Sequence, residues 1–284
     1  MTAINGSAAA VTGAASGIGR ALAVELASRG CDLALADRDE GGLAAVAAEL
    51  AARGRKVTTH RVDVSAPAEI KEFAAAATAA HPHLNIVINN AGVALPGQFH
   101  EIDQAQFEWL MNINFWGVVH GSRAFLPHLF SQPSAHIVNI SSIFGIIAPA
   151  GQTAYCASKF AVRGFSEALR HEFWLAKIPI NVTVVHPGGI KTNIVRNMRT
   201  GVGITDNARR AESIERFDTE FAKTTAPAAA ATIIKGIEKN APRVLIGSDA
   251  KFMDLLQRFR PGRYFSVLQR RIEKRAAQMG QQAK

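Results

Sequence analysis

Apolar residues follow two rhythms along this chain. Short continuous runs alternate with longer stretches in which apolar positions recur at helical spacing. Ala8 to Thr12, Asp32 to Ala36, Val57 to Val62, Leu84 to Ile88, His136 to Ile140, Ile180 to His186 and Arg243 to Ile246 read as buried strands. Between them, Arg20 to Arg29, Gly42 to Arg53, Pro67 to Ala80, Phe107 to Leu126, Tyr155 to Ala176 and Pro227 to Asn240 read as helices. Gly30 ends the first helix. Regular alternation of strand and helix predicts an α/β fold. Lys191 to Pro227 has little strand character and reads as a helical cover over a substrate. Past the last strand, Phe252, Met253, Leu255, Leu256 and Phe259 form an apolar stripe, suited to a subunit interface or a pocket cover.

Composition narrows the partners. The 284 residues suit one large α/β domain or two small ones. The formal net charge is +9, but the excess is concentrated at the end. Residues 251–284 carry nine Lys or Arg against Asp254 and Glu273 alone. A basic, amphipathic tail explains this better than a nucleic-acid-reading fold, so no nucleic-acid partner is expected. Contact between that tail and a membrane surface is a minor alternative. Cys31 and Cys156 make no disulfide framework, and no metal-ligand spacing is present. Neither a signal peptide nor a bilayer-spanning stretch is legible, which predicts a soluble, cytoplasmic protein.

Three stretches carry chemistry. Thr12 to Gly19 reads T-G-A-A-S-G-I-G between a strand and a helix. Gly13 permits a tight turn, Gly17 lets backbone approach a pyrophosphate, and Gly19 allows close helix–strand packing. The helix N-terminus offers free N–H groups to phosphates, and Ser16 can add its hydroxyl. Asp37 ends the second strand, where an acid accepts hydrogen bonds from adenosine ribose and favours NAD. Arg38 follows at once and could grip a 2′-phosphate, which keeps NADP open. Asp63 ends the third strand, placed for the adenine amino group or, alternatively, for the start of the next helix. Asn89 to Gly92 reads N-N-A-G, small residues beside a cofactor with asparagines able to tie strand ends together.

The third stretch runs from Ser142 to Lys159. Tyr155 and Lys159 are four apart, hence on one face of a helix. A phenol has a pKa of about 10, and a neighbouring cation lowers it. Ser142 leaves the fifth strand at the edge where open sheets carry their active sites. A hydroxyl, a phenol and an ammonium together can move a proton on or off an alcohol oxygen. Asn114 lies inside a helix, where asparagine is unfavourable without a further role. Thr192, after Pro187-Gly188-Gly189-Ile190, can reach cofactor phosphate or carboxamide.

Together these motifs resemble the short-chain dehydrogenase/reductase family. They are T-G-x-x-x-G-I-G at 12–19, Asp63-Val64, N-N-A-G at 89–92, Asn114, Ser142, Tyr155-x-x-x-Lys159 and Pro187-Gly188, in family order. The resemblance implies a doubly wound Rossmann-type domain over residues 1–250, with a seven-stranded parallel sheet. Residues 190–227 become its substrate cover and 251–284 a C-terminal extension. It implies Tyr155 as acid/base, Ser142 holding the substrate oxygen, and Lys159 bonding the nicotinamide ribose while lowering the tyrosine pKa. Asn114 would hold a water of the proton relay. NAD or NADP would be bound by Gly13, Ser16, Gly17, Ile18, Gly19, Asp37 or Arg38, Asp63, Val64, Asn90, Ala91, Gly92, Tyr155, Lys159, Pro187, Gly188, Ile190 and Thr192. A homotetramer or homodimer is implied too.

Leu95, Ser142, Phe144, Ile146 and Gly189 are the expected pocket wall, largely apolar. The expected activity is interconversion of bulky or hydrophobic secondary alcohols and ketones. A non-catalytic NAD(P)-binding scaffold or sensor is the alternative.

Overall fold

A computed structural model describes residues 1–51, 53–199, 201, 211, 214, 215, 217–266 and 269. Seven parallel strands form one sheet: β1 (Ala8–Thr12), β2 (Asp32–Asp37), β3 (Val57–Arg61), β4 (Leu84–Asn89), β5 (Ala135–Ile140), β6 (Ile180–Pro187) and, later in the chain, Arg243–Ile246. A short pair precedes that last strand, β7 (Ile190–Lys191) with β8 (Thr224–Thr225), so Arg243–Ile246 is β9. The spatial order is β3-β2-β1-β4-β5-β6-β9. The expected fold class and strand number hold.

Helices lie on both faces because alternate residues of each strand point to opposite sides. Ala9 and Val11 of β1 join Leu33 and Leu35 of β2 beneath α1 (Gly17–Ser28), α2 (Glu40–Ala51) and α7 (Ala226–Glu238). Ala8 and Ala10 join Ala34 and Ala36 beneath α3 (Pro67–Ala80), α5 (Gly117–Leu129) and α6 (Thr153–Leu175). The alanines of β1 and β2 keep those strands thin on this face. The strand order reverses between β1 and β4, which opens a crevice at their C-terminal ends.

One expectation changes and another gains detail. The single helix expected over Phe107 to Leu126 begins earlier, as α4 (Gln104–Met111), opened by the Asp103 carboxylate accepting from Gln106 N. It then widens into a π-type turn at Asn112–Trp116 before α5. The widened turn interrupts the backbone ladder where Asn114 sits, and such turns often mark functional sites. The cover, expected to be helical, carries a helical turn at Phe217–Phe221 and is in addition pinned at both ends by β7 and β8. Its residues 200, 202–210, 212, 213 and 216 lie outside the described residues, as do 267, 268 and 270–284 of the C-terminal extension. The described part of that extension forms α8 (Ser248–Phe259) and a turn through Tyr264.

A buried polar ladder crosses the sheet. Asn89 Nδ2 donates to Ser122 Oγ (3.1 Å) and to Asn139 Oδ1 (2.8 Å). Asn139 Nδ2 donates to Ser166 Oγ (2.9 Å), which donates to Val162 O (2.7 Å). It ties α5 and α6 to adjacent strands in register Asn89–Asn139.

Candidate active site

The cofactor side of the crevice is built by backbone. Gly13 and Gly17 have φ of 66° and 54°, in the left-handed region. A side chain on Gly19 would strike the Gly13 carbonyl and come within 2.6 Å of Asn90 Nδ2. Only glycine lets α1 enter so close to β1 and β4. Asn90 Nδ2 donates to Thr12 O (2.9 Å) and Gly13 O (3.1 Å). Thr12 Oγ1 accepts from Asn90 N (3.0 Å) and Ala91 N (3.1 Å). The two motifs thus lock each other across the strand reversal.

The first N–H groups of α1 lack intrahelical acceptors, and the Ser16 side chain does not cap them. They remain free for an anion, and Ile18 anchors the helix on the core behind them. Thr192 closes the opposite wall: its Cγ2 would lie 3.3 Å from a Cβ on Gly17. At the adenosine end, Asp37 Oδ2 accepts from Ala15 N (3.0 Å) and Oδ1 from Asp39 N (3.1 Å). Arg38 turns to Asp63, 3.7 Å away. Asp63 Oδ1 also accepts from Ser65 N (2.9 Å) and Ser65 Oγ (2.6 Å). Partial burial raises the Asp63 pKa, but the Ser65 bonds and the Arg38 and Arg61 charges outweigh it, and the net direction is down. Val64 is buried against Gly117. This donor set, free helix amides and an acid at the second strand's end, suits a dinucleotide.

The chemical side is built by α6, the β5 exit and the widened turn. Tyr155 is half-buried, with the Phe144 ring edge-on to it (centroids 6.1 Å, 89°). The Lys159 ammonium lies 5.7 Å from the Tyr155 ring centroid and donates to Ile140 O (3.0 Å). Ser142 is buried; its Oγ accepts from Phe144 N (3.1 Å). Asn114 Nδ2 donates to Val93 O (3.0 Å) and Ser158 Oγ (3.3 Å), while its Oδ1 accepts from Val93 N (2.8 Å). A Cβ on Gly92 would lie 3.2 Å from Asn114 Oδ1 and 3.4 Å from Lys159 Nζ. Glycine there leaves one small space shared by amide and ammonium.

Burial sets the electrostatics of this group. It pushes the Tyr155 phenol up to about 12, against the pull of the Ser142 hydroxyl. It drives the Lys159 ammonium down to about 8. The sequence leads one to expect a phenol lowered by its cation. In the folded chain desolvation raises the phenol, only the Ser142 hydroxyl pulls it down, and the ammonium is directed at the Ile140 carbonyl.

The expected pocket residues divide. Phe144 faces Tyr155. Leu95 is fully buried in a cluster with Leu110 and Ala154, against the half-buried Tyr155. Ile146 is buried with Ile143, Ile147 and Ala250, packed against Met253 and Tyr264 of the C-terminal extension. Gly189 N donates to Asp249 Oδ2 (2.7 Å), at the start of α8. Pro187 and Ile190 are buried beside this turn; any side chain on Gly188 would strike Asp249, and one on Gly189 the Phe221 backbone. Asp249 was not singled out by sequence, since nothing in its spacing marks it; nor was His186, buried with Nδ1 2.8 Å from Ser142 O.

With this geometry in view, comparison with known proteins is direct. The family model described as short chain dehydrogenase matches residues 7–203. The oxidoreductase SadH of Mycobacterium tuberculosis is 43% identical over 264 residues, spanning 93% of this chain and 94% of SadH. A short chain dehydrogenase/reductase of Burkholderia phymatum, solved in complex with NAD, superposes with a TM-score of 0.84 at 31% identity, covering 92% of this chain and 95% of its own. A short chain dehydrogenase of Burkholderia cenocepacia, solved with NADP, gives 0.74 at 26% identity, covering 88% and 100%. Matched in sequence over more than half its length and in fold over nearly all of it, the chain belongs to the short-chain dehydrogenase/reductase family of oxidoreductases.

Proposed function

We propose that the protein interconverts apolar secondary alcohols and ketones with NAD, and that Tyr155, Ser142, Lys159 and Asn114 carry the proton chemistry. The observation that carries this reading is the Tyr155–Lys159 pair on α6 beside the Ser142 hydroxyl, at the same sheet edge as the free amides of α1. When bound, the nicotinamide supplies the hydride or accepts it.

The chain's own residues do the rest. Ser142 holds the substrate oxygen against the Tyr155 hydroxyl. With its pKa raised, Tyr155 keeps its proton near neutrality and donates it as a carbonyl becomes an alkoxide. The Lys159 charge favours the phenolate left behind. Its own pKa of about 8 lies close enough to neutrality for proton exchange across the space shared with Asn114. Phe144 gives the pocket an apolar wall, which suits bulky hydrophobic substrates. Asp37 favours NAD because a 2′-phosphate would bring like charge beside its carboxylate, while Arg38 is engaged by Asp63. The site would form within one domain over residues 1–250, in a cytoplasmic homo-oligomer.

The test is a panel of aliphatic, aromatic and cyclic ketones and alcohols, run separately with NADH, NADPH and their oxidised forms. Turnover of apolar substrates is expected, with NAD(H) preferred by about tenfold or more, the effect of one uncompensated like-charge contact. Tyr155→Phe should lower the rate by about 10²–10⁴-fold while leaving NADH binding, read by fluorescence, unchanged. Full activity of Tyr155→Phe, or cofactor binding without turnover in the parent protein, would refute the catalytic reading. Turnover confined to small charged hydroxy acids would refute the substrate class.

A further inference from the structure

α8 is apolar on two faces, one turned to the domain and one turned outward. Its buried face carries Ala250 and the acid Asp254, whose carboxylate is held by Arg243 (3.1 Å) and Arg258 (2.8 Å). Its outer face carries Leu255 and Phe259, four apart and thus in one line. Leu255 is 54% exposed and Phe259 78%. Phe265, beyond the following turn, is exposed too. A helix that served only the monomer's core would turn these side chains inward. Lys251, Arg260 and Arg263 lie along the same segment, exposed and without an ion pair among the described residues. The inner side of this segment backs the pocket wall: Met253 and Tyr264 pack on the cluster of Ile143, Ile146 and Ile147 on which Phe144 also rests, and Tyr264 Oη accepts from Ala148 N (3.2 Å).

We propose that the outer face of α8, with the Arg260–Phe265 turn, docks on an anionic lipid surface, Leu255 and Phe259 entering the headgroup–acyl boundary and Lys251, Arg260 and Arg263 meeting the headgroups. Charge selects this occupant over a second copy of the chain. A self-contact through this face would set the exposed Lys251, Arg260 and Arg263 against the same cations of a second copy, whereas an anionic surface neutralises them, and oligomer contacts elsewhere on the chain are untouched by this argument. Docking is peripheral, because no helix among the described residues is long and apolar enough to cross a membrane. It would set the apolar wall around Phe144 close to the layer in which hydrophobic alcohols and ketones concentrate. This last point rests on the proposed substrate class; the docking itself does not.

The experiment is cosedimentation of the full chain with vesicles of phosphatidylcholine alone and of phosphatidylcholine containing about a quarter phosphatidylglycerol. Binding is expected to the anionic vesicles only, and to weaken as salt rises. Each of Lys251→Ala, Arg260→Ala and Arg263→Ala should weaken it about fivefold. The double variant Leu255→Glu/Phe259→Glu should reduce it by at least about tenfold, with melting temperature and NADH binding unchanged. Absence of binding to anionic vesicles, or equal binding by the double variant, would overturn the proposal. So would a fall in molar mass by light scattering in the double variant, which would make the face a self-interface. NADH binding and turnover are read separately, so failure of docking leaves the enzymatic reading standing.

Discussion

Lys159 shows how one residue can serve the site at the expense of the fold. Its ammonium is buried and its pKa falls from the usual 10.5 to about 8. Between those values the unfolded chain binds more protons than the folded one, so this group makes stability rise with pH across that window. Below pH 8 its cost is constant, at most about 3 kcal/mol, partly offset by the bond to Ile140 O. Lys159→Met keeps the apolar stem and removes the charge. It should be more stable than the parent by about 1–3 kcal/mol at pH 7 in urea unfolding, with the difference closing between pH 8 and 10.5. Equal stability of the two at pH 7 would mean that the buried ammonium is fully compensated.

At the scale of elements, the site depends on α5 and α6 keeping their places on the sheet. The Ser122–Asn89–Asn139–Ser166 ladder holds both helices to β4 and β5. Its members are buried, and Asn89 Oδ1 already lacks a partner. Removing a link therefore strands groups that water cannot reach. Asn139→Ala should lower unfolding free energy by about 2–4 kcal/mol, measured by urea denaturation. A loss below about 0.5 kcal/mol would show that the ladder is not a stabilising unit. The same helices explain the widened turn. Asn114 serves the loop after β4 rather than its own helix, and its two bonds to Val93 fix that loop beside Gly92.

Over the whole molecule, burial lowers the pKa of His60, His81 and His120 and, most strongly, of His136 and His186. His136, between Thr2 Oγ1 (3.0 Å) and Thr183 Oγ1 (2.7 Å), is driven down to about 3, first by burial and then by the Arg170 and N-terminal charges. His186, beneath Ser142, is driven down to about 4, again first by burial. Both folded values lie below the unfolded 6.5, so the stability they contribute is present above pH 6.5 and lost as pH falls toward 3–4. Lowering pH from 7 to 5 should cost about 2 kcal/mol for each, about 4 kcal/mol together. Urea unfolding at the two pH values measures this, and His136→Gln should shrink the difference by about 2 kcal/mol. A His136→Gln chain with the full difference would contradict the assignment.

Period and spacing in the sequence were enough for the seven strands, their flanking helices and the family. The reason is that strand alternation, glycine placement and the Tyr-x-x-x-Lys interval are local, and local geometry is nearly fixed by residue type. Asp249 bonding Gly189, His186 beneath Ser142 and Tyr264 reaching Ala148 join positions 60, 44 and 116 residues apart, and no local pattern encodes such pairs. The balance of Tyr155 against Lys159 was likewise decided only by tertiary structure. The sequence places a cation beside a phenol, but desolvation depends on what packs around both. That packing raised one pKa and lowered the other.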